Sequence, residues 1–298
     1  PHVVRGGRQL LDEDSPLVMA EYKHGDQLNH AVLDEFWKLG FHTYRLVPVL
    51  LLLMPIADIA EVDPYLLNLF FCRDDTAEGL SARGMLVPRG LDRNVAVGHP
   101  MRSEWSEYLS GFPYAGKWIS NSRDEHVKDE CISEEYANAL NLYACAQQKR
   151  LPPGERLVAL TESLAAAENT LIQNPTLARR LTLARVRADF GLRNEARNLF
   201  MQILDDLQRN GSMLWNEPFL VPSRRFELAE CVDQSKNWLI AAVAEWLASN
   251  TGFSSFFTAD ESLRYLQIAR RAGSGDGDVQ RHIDLILRRK RSGTGHTN

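Results

Sequence analysis

From Ser133 to Leu287, apolar residues recur at three- and four-residue spacing, with almost none of the alternation a strand requires. No other feature constrains the fold as much. Leu157, Leu160, Leu164, Ala167 and Leu171 form one stripe, and Leu177, Leu181, Ala184 and Ala188 a second. Ala196, Leu199, Phe200, Ile203, Leu204 and Leu207 form a third, and Trp238, Leu239, Ala242, Val243, Trp246 and Leu247 a fourth. Val279, Ile283, Ile286 and Leu287 close the series. Before it, the run TADE reads as a capping box, with Thr258 as N-cap and Glu261 at the third helical position. Helices with one apolar stripe bury it against one another. Residues 133–298 are therefore predicted to be an all-α helical-hairpin domain.

One hairpin has a more specific pattern. LARVRADFGLRNEARNLFMQIL, Leu183 to Leu204, places Gly191 at a turn, Ala196 five residues on and Phe200 four beyond that. This resembles a tetratricopeptide unit, in which a small residue lets two helices approach and an aromatic fills the gap. No neighbouring segments repeat it cleanly. Hairpins of this kind present grooves to peptides or partner subunits, so a protein partner is expected on this domain.

The first 88 residues read differently. PLVMAE is a continuous apolar run between Pro16 and Glu21, as in a strand covered on both faces. Leu28, Val32, Phe36 and Leu39 fall at helical spacing, and Gly40 stands where a helix ends. FHTYRLV and YLLNLFFCR are β-branched and aromatic, and both are predicted strands. VVRGGRQLL reads as a short helix or turn. The alternation predicts an α/β domain over 1–88. Residues 89–132, with Trp105, Tyr108, Tyr114 and Trp118 among glycines and prolines, read as an aromatic-rich connector carrying one short helix at Met101, Trp105 and Leu109.

Several function classes are disfavoured. A net charge of -5 gives no basic footprint for nucleic acid. The one basic run, Arg288 to Gly293, reads as a solvated, fraying end. Cys72, Cys131, Cys145 and Cys231 form no C-x-x-C pair and lack zinc-ligand spacing from any histidine. They read as reduced thiols of a cytoplasmic protein. The most apolar window, Leu46 to Ile56, is far short of the ~20 residues that cross a bilayer. No membrane contact, metal, nucleophile elbow, P-loop or EF-hand is expected.

The opening segment resembles the C-terminal part of an FkbM-type methyltransferase. VVRGGRQLL resembles a helix of that family, DSPLVMAEYKHG its next strand with Glu21 at the family's glutamate position, LDEFWKLGFHTYRL its helix and strand, and NLFFCR its last strand. The resemblance implies a partial class I methyltransferase sheet, C-terminal strands only. Its last two strands would form an antiparallel edge on a mostly parallel sheet, joined by VLLLLMPIADIAEVDPY as a long hairpin loop. It also implies S-adenosylmethionine as cofactor and a small-molecule or saccharide hydroxyl as methyl acceptor. The sequence departs from the family in having no glycine-rich turn after a strand. The cofactor-binding half is thus expected to precede Pro1, leaving this chain inactive alone. The other reading is a non-catalytic helical interaction module with a vestigial methyltransferase cap.

Glu21 and His24 are the candidate substrate-binding residues. At the carboxyl end of a strand they would orient or deprotonate an acceptor hydroxyl. Equally, Glu21 could cap a helix or pair with Lys23 or Arg45, and His24 could be loop. His30 and His42 read as satisfied histidines, and Asn68 as an edge-strand hydrogen bonder. Arg224 and Arg225, in EPFLVPSRRFE, read either as an anion grip or as part of an extended segment packed across the helices, with the arginines solvated or paired to Glu227. The phenylalanines of TGFSSFFT read as core.

Overall fold

The computed structural model describes residues 2–24, 27–56, 68–90, 105–116, 132–209, 217–229, 236–251, 259–273 and 277–293. The chain divides into two compact units. The first comprises Pro1–Ser103, Asn141–Ser163 and Asp189–Arg193, and the second Glu104–Leu140, Leu164–Ala188 and Asn194–Asn298.

In the first unit, helices α1 (His2–Gly6) and α2 (Arg8–Asp14) lead into strand β1 (Val18–Glu21). A two-stranded ribbon follows, β2 (Lys23–His24) with β3 (Gln27–Leu28). Helix α3 (His30–Lys38) then leads to β4 (His42–Val47), β5 (Leu52–Pro55), β6 (Asn68–Cys72) and α4 (Asp74–Ala82). Gly40, at φ 77, lets the chain leave α3 in the left-handed conformation expected of a glycine there. The strands form a four-stranded sheet in the order β1-β6-β4-β5, and every pairing is antiparallel. Since β1 and β4 both oppose β6, they run parallel to each other.

Period-two alternation sends side chains to two covered faces. Leu69 and Phe71 of β6 join Leu11, Val32, Leu33 and Phe36 on one side, where Phe36 stacks on Phe71 with ring centroids 4.1 Å apart. Tyr44 and Cys72 join Ala77, Leu80 and Leu86 on the other. The edge at β5 is covered: the Leu53 N–H donates to Met85 O at 2.8 Å, and the Val87 N–H to Leu53 O at 2.9 Å. Among the described residues, β1 pairs only with β6.

Three sequence expectations change here. The strand PLVMAE is covered on one face only: Val18 and Ala20 pack inward while Met19 is 61% exposed, because α4 packs on the central strands and not on β1. The four-stranded sheet is antiparallel throughout, with no parallel pair. The stretch read as a long hairpin loop contains β5, registered from Tyr44↔Pro55 to Val47↔Leu52. Its leucine run hid the alternation. Helix α4, which the sequence reading left without an assignment, starts at the adjacent acids Asp74 and Asp75, favourable at a helix N-terminus.

The remaining elements are helical. They are α5 (Trp105–Ser110), α6 (Glu134–Ala146), α7 (Pro153–Gln173), α8 (Leu177–Phe190), α9 (Arg193–Arg209), α10 (Arg224–Glu227), α11 (Lys236–Asn250), α12 (Ala259–Arg271) and α13 (Gly277–Gly293). In the second unit, Ala196, Phe200, Ile203 and Leu207 of α9 are buried as their stripe requires. Helix α8 instead buries Leu181 and Ala184 of its stripe, leaves Leu177 and Ala188 half-buried, and also buries Ala178, Leu183 and Val186 on other faces. Leu266 meets Val279, Ile283 and Ile286. Gly191, at φ 97, turns α8 into α9. Within the first unit this turn rests on β4: Arg45 donates to Phe190 O at 2.7 Å and its guanidinium lies 4.6 Å from the Phe190 ring. The basic run expected to fray is instead helical, closing α13, where cations suit the helix C-terminus. Thr258, Met101, Trp118 and the phenylalanines of TGFSSFFT lie outside the described residues.

Candidate functional site

At one end of the sheet, Glu21 closes β1, exposed, in register with Asn68, the exposed first residue of β6. The next residue turns inward. Tyr22 is buried, and its hydroxyl is 3.2 Å from His30 Nδ1, with the two rings edge to face at 5.8 Å. Burial raises the Tyr22 pKa. The Asn29 N–H, just ahead of α3, donates to Tyr22 O at 2.8 Å. The backbone of His24 lies in β2, opposite Gln27. Its side chain lies outside the described residues. A glutamate and an asparagine thus share a sheet end beside a tyrosine–histidine pair, and a carboxylate there can accept a hydrogen bond from an approaching hydroxyl.

His42 has partners, as its sequence context predicted. Its Nδ1 is 2.8 Å from Arg89, its Nε2 is 3.5 Å from Asp74, and Arg89 and Asp74 are themselves paired at 2.5 Å. Beneath this triad lie Tyr44 and Cys72. Burial pushes Tyr44 up to about 12 and Cys72 up to about 11. Both are protonated at neutral pH, so the thiol is a poor nucleophile. Cys72 and Cys145 are free and buried. No group of three metal-ligating side chains occurs among the described residues. Nor is any described helix long and apolar enough to cross a membrane.

The second unit contains the more elaborate polar construction. Arg179, Thr182 and Arg185 lie three residues apart on α8, so they share a face, and all three are buried. They meet the irregular chain Glu217–Val221. Arg179 holds the Glu217 carboxylate with its Nε and terminal nitrogen, the closest contact being 2.7 Å, and the Thr176 hydroxyl adds a bond at 2.6 Å. Tyr136 donates to Pro218 O at 2.8 Å, and Tyr114 to Phe219 O at 2.9 Å. The Leu220 N–H donates to Thr182 Oγ1 at 3.2 Å. Arg185 donates to Val221 O at 2.7 Å and to Glu227 at 2.8 Å. Burial drives the pKa values of Tyr114 and Tyr136 upward, keeping both hydroxyls protonated as donors.

This settles the segment EPFLVPSRRFE, which is packed across helices. Arg225 pairs with Glu245 at 2.6 Å, while Glu227 pairs with Arg185 rather than with its neighbouring arginines. The sequence reading missed the arginines of α8. The available signal was that LARRLTLARVRADF lacks a purely polar face, so some of its charges had to be inside. A separate cleft of about 370 Å³ lies among Arg225, Glu245, Leu266, Asp278, Arg281 and His282. Its charges are largely mutually paired, Arg281 with Asp278 at 3.0 Å. No family model, curated protein or solved structure matches the chain.

Proposed function

We propose that the chain is the C-terminal portion of an FkbM-like, S-adenosylmethionine-dependent O-methyltransferase with a helical accessory domain. The observation that carries this reading is the sheet topology. The last two strands expected from the resemblance, β4 and β6, are adjacent and antiparallel, and β1 reaches β4 through helix α3. Glu21 stands exposed at the carboxyl end of β1, the end where β4, running the same way, also finishes.

S-adenosylmethionine does not fit the described residues. Gly6 and Gly7 lie in and just after α1, ahead of β1, and no described strand leads into a glycine-rich turn. The chemistry assigned to this chain is therefore confined to the acceptor. Glu21 holds or deprotonates a hydroxyl, with His24 beside it in the chain, and the Tyr22–His30 pair fixes the start of α3 behind them. The donor half lies outside this chain in this reading.

Titrating S-adenosylmethionine calorimetrically into residues 1–298 is expected to show no micromolar binding, and micromolar binding would overturn the division. The coding sequence upstream of Pro1 is expected to continue in frame through a strand, a glycine-rich turn and an acidic strand end; a stop codon directly upstream contradicts the reading. In the longer enzyme, Glu21→Gln with His24→Ala is expected to lower kcat/KM ~10²–10⁴-fold, the usual range for losing a general base. A second reading, a non-catalytic helical interaction module with a vestigial methyltransferase cap, draws support from the polar groove on α8.

A further inference from the structure

We propose that the face of α8 carrying Arg179, Thr182 and Arg185 is a peptide-recognition groove, occupied in cis by Glu217–Val221. When that strap is displaced, it takes an extended partner peptide with an acidic residue followed by proline, an aromatic and two aliphatics. The inference rests on the helical unit being an interaction module, whatever chemistry the first unit performs.

Four features carry it. The strap belongs to no helix or strand, and it is held by side-chain hydroxyls and guanidinium groups that reach its main chain at Pro218, Phe219, Leu220 and Val221. Contacts of this kind read a backbone whatever its sequence, as peptide-binding grooves do. Side-chain specificity is added at two places. Phe219, Leu220 and Val221 are each at most 3% exposed, so their side chains are enclosed by the surrounding residues. The Glu217 carboxylate is gripped by a guanidinium only 4% exposed, the geometry that selects an acid. Finally, Pro218 and Pro222 fix φ at two positions and bias the preceding Glu217 and Val221 towards extended backbone, which lowers the ordering cost of an incoming segment of the same sequence pattern. Ordinary core chain meets the same demand for satisfied polar groups. The difference lies in separability: a groove ligand opens while α8 stays folded.

Native-state hydrogen exchange on the whole chain tests this first. The Leu220 amide is expected to exchange at least ~10-fold faster than the amides of Leu183 and Ala184 in α8, since ligand-like segments open sub-globally. Equal protection would overturn the proposal, because the strap would then be inseparable core. The second test uses a fluorescent peptide of sequence EPFLVP and the full chain carrying Glu217→Ala and Phe219→Ala. Anisotropy is expected to show at least ~10-fold tighter binding than to the unaltered chain, and adding Arg179→Met is expected to remove that gain. Absence of binding to the folded strap variant overturns the proposal. Binding indifferent to Arg179→Met also overturns it while leaving a peptide-binding module intact, with its site elsewhere. Should the strap variant fail to fold, the exchange result on the unaltered chain decides.

Discussion

The sheet of the first unit and the helices of the second solve the same problem by opposite means. The sheet keeps its interior dry: Leu69, Phe71, Phe36 and Leu33 meet without a charged group among them, and the ion pairs of Arg5, Arg73 and Arg89 stay at the surface. The helical unit takes charge inside. Arg185 is 2% exposed and Arg179 4%, each matched to a glutamate. Burying an ion pair adds little net stability over an apolar pair, yet breaking one is costly. Such a design makes sense where an irregular segment must be held in one register, and Glu217–Val221 is that segment.

Substitutions can break this contrast. The largest effect is expected from Arg185→Leu, which strands Glu227 and removes the donor to Val221 O. A loss of about 3–5 kcal/mol is expected by urea denaturation of the full chain. In the sheet, Phe36→Ala removes a side chain 2% exposed that stacks on Phe71. It is expected to cost a comparable ~3–5 kcal/mol, but through an apolar cavity, so its effect should be insensitive to salt and pH. If Arg185→Leu costs less than a surface change, the buried charge is not structural.

In the first unit, alkali acts by a different route. Cys72 and Tyr44 are neutral when folded, with pKa values raised by burial to about 11 and about 12 from 9.0 and 10.0. Because the folded values lie above the unfolded ones, their contribution is complete below about 9 and is lost as pH rises through 11 to 12. Replacing Cys72 with alanine is expected to delay the onset of that loss, as followed by circular dichroism. Gly191→Ala comes next. At φ 97, with a new Cβ 2.9 Å from an Arg45 nitrogen, it is expected to cost about 1–2 kcal/mol. The smallest change is Asp74→Ala. It removes exposed pairings to Arg89 and His42 and is expected to cost under about 1 kcal/mol, read from the urea midpoint.

These contrasts also explain what the sequence could convey. Stripes such as Ala196, Phe200 and Ile203 are legible because one apolar face at period 3.6 admits a single burial pattern. Gly40 and Gly191 are legible because each sits at a helix end, and both adopt the positive φ that favours glycine. β5 was not, since its leucines continue an apolar run with no polar alternation to mark the pleat. The buried arginines were illegible for a related reason. A charged residue is ordinarily assigned to solvent, and the glutamates that satisfy Arg179 and Arg185 lie 38 and 42 residues away in sequence. Glu21 was correctly placed at a strand end, while the Tyr22–His30 pair behind it needed coordinates, because eight residues and a two-stranded ribbon separate the partners.

The most direct measurement is a double-mutant cycle between Arg185→Met and Glu227→Gln, read by urea denaturation. A helical unit organised around internal charge pairs predicts a coupling energy of at least ~2 kcal/mol, while the double variant stays less stable than the parent chain because Val221 O has lost its donor. A coupling below ~0.5 kcal/mol would contradict the account, because the pair would then be a passenger in an ordinary apolar bundle.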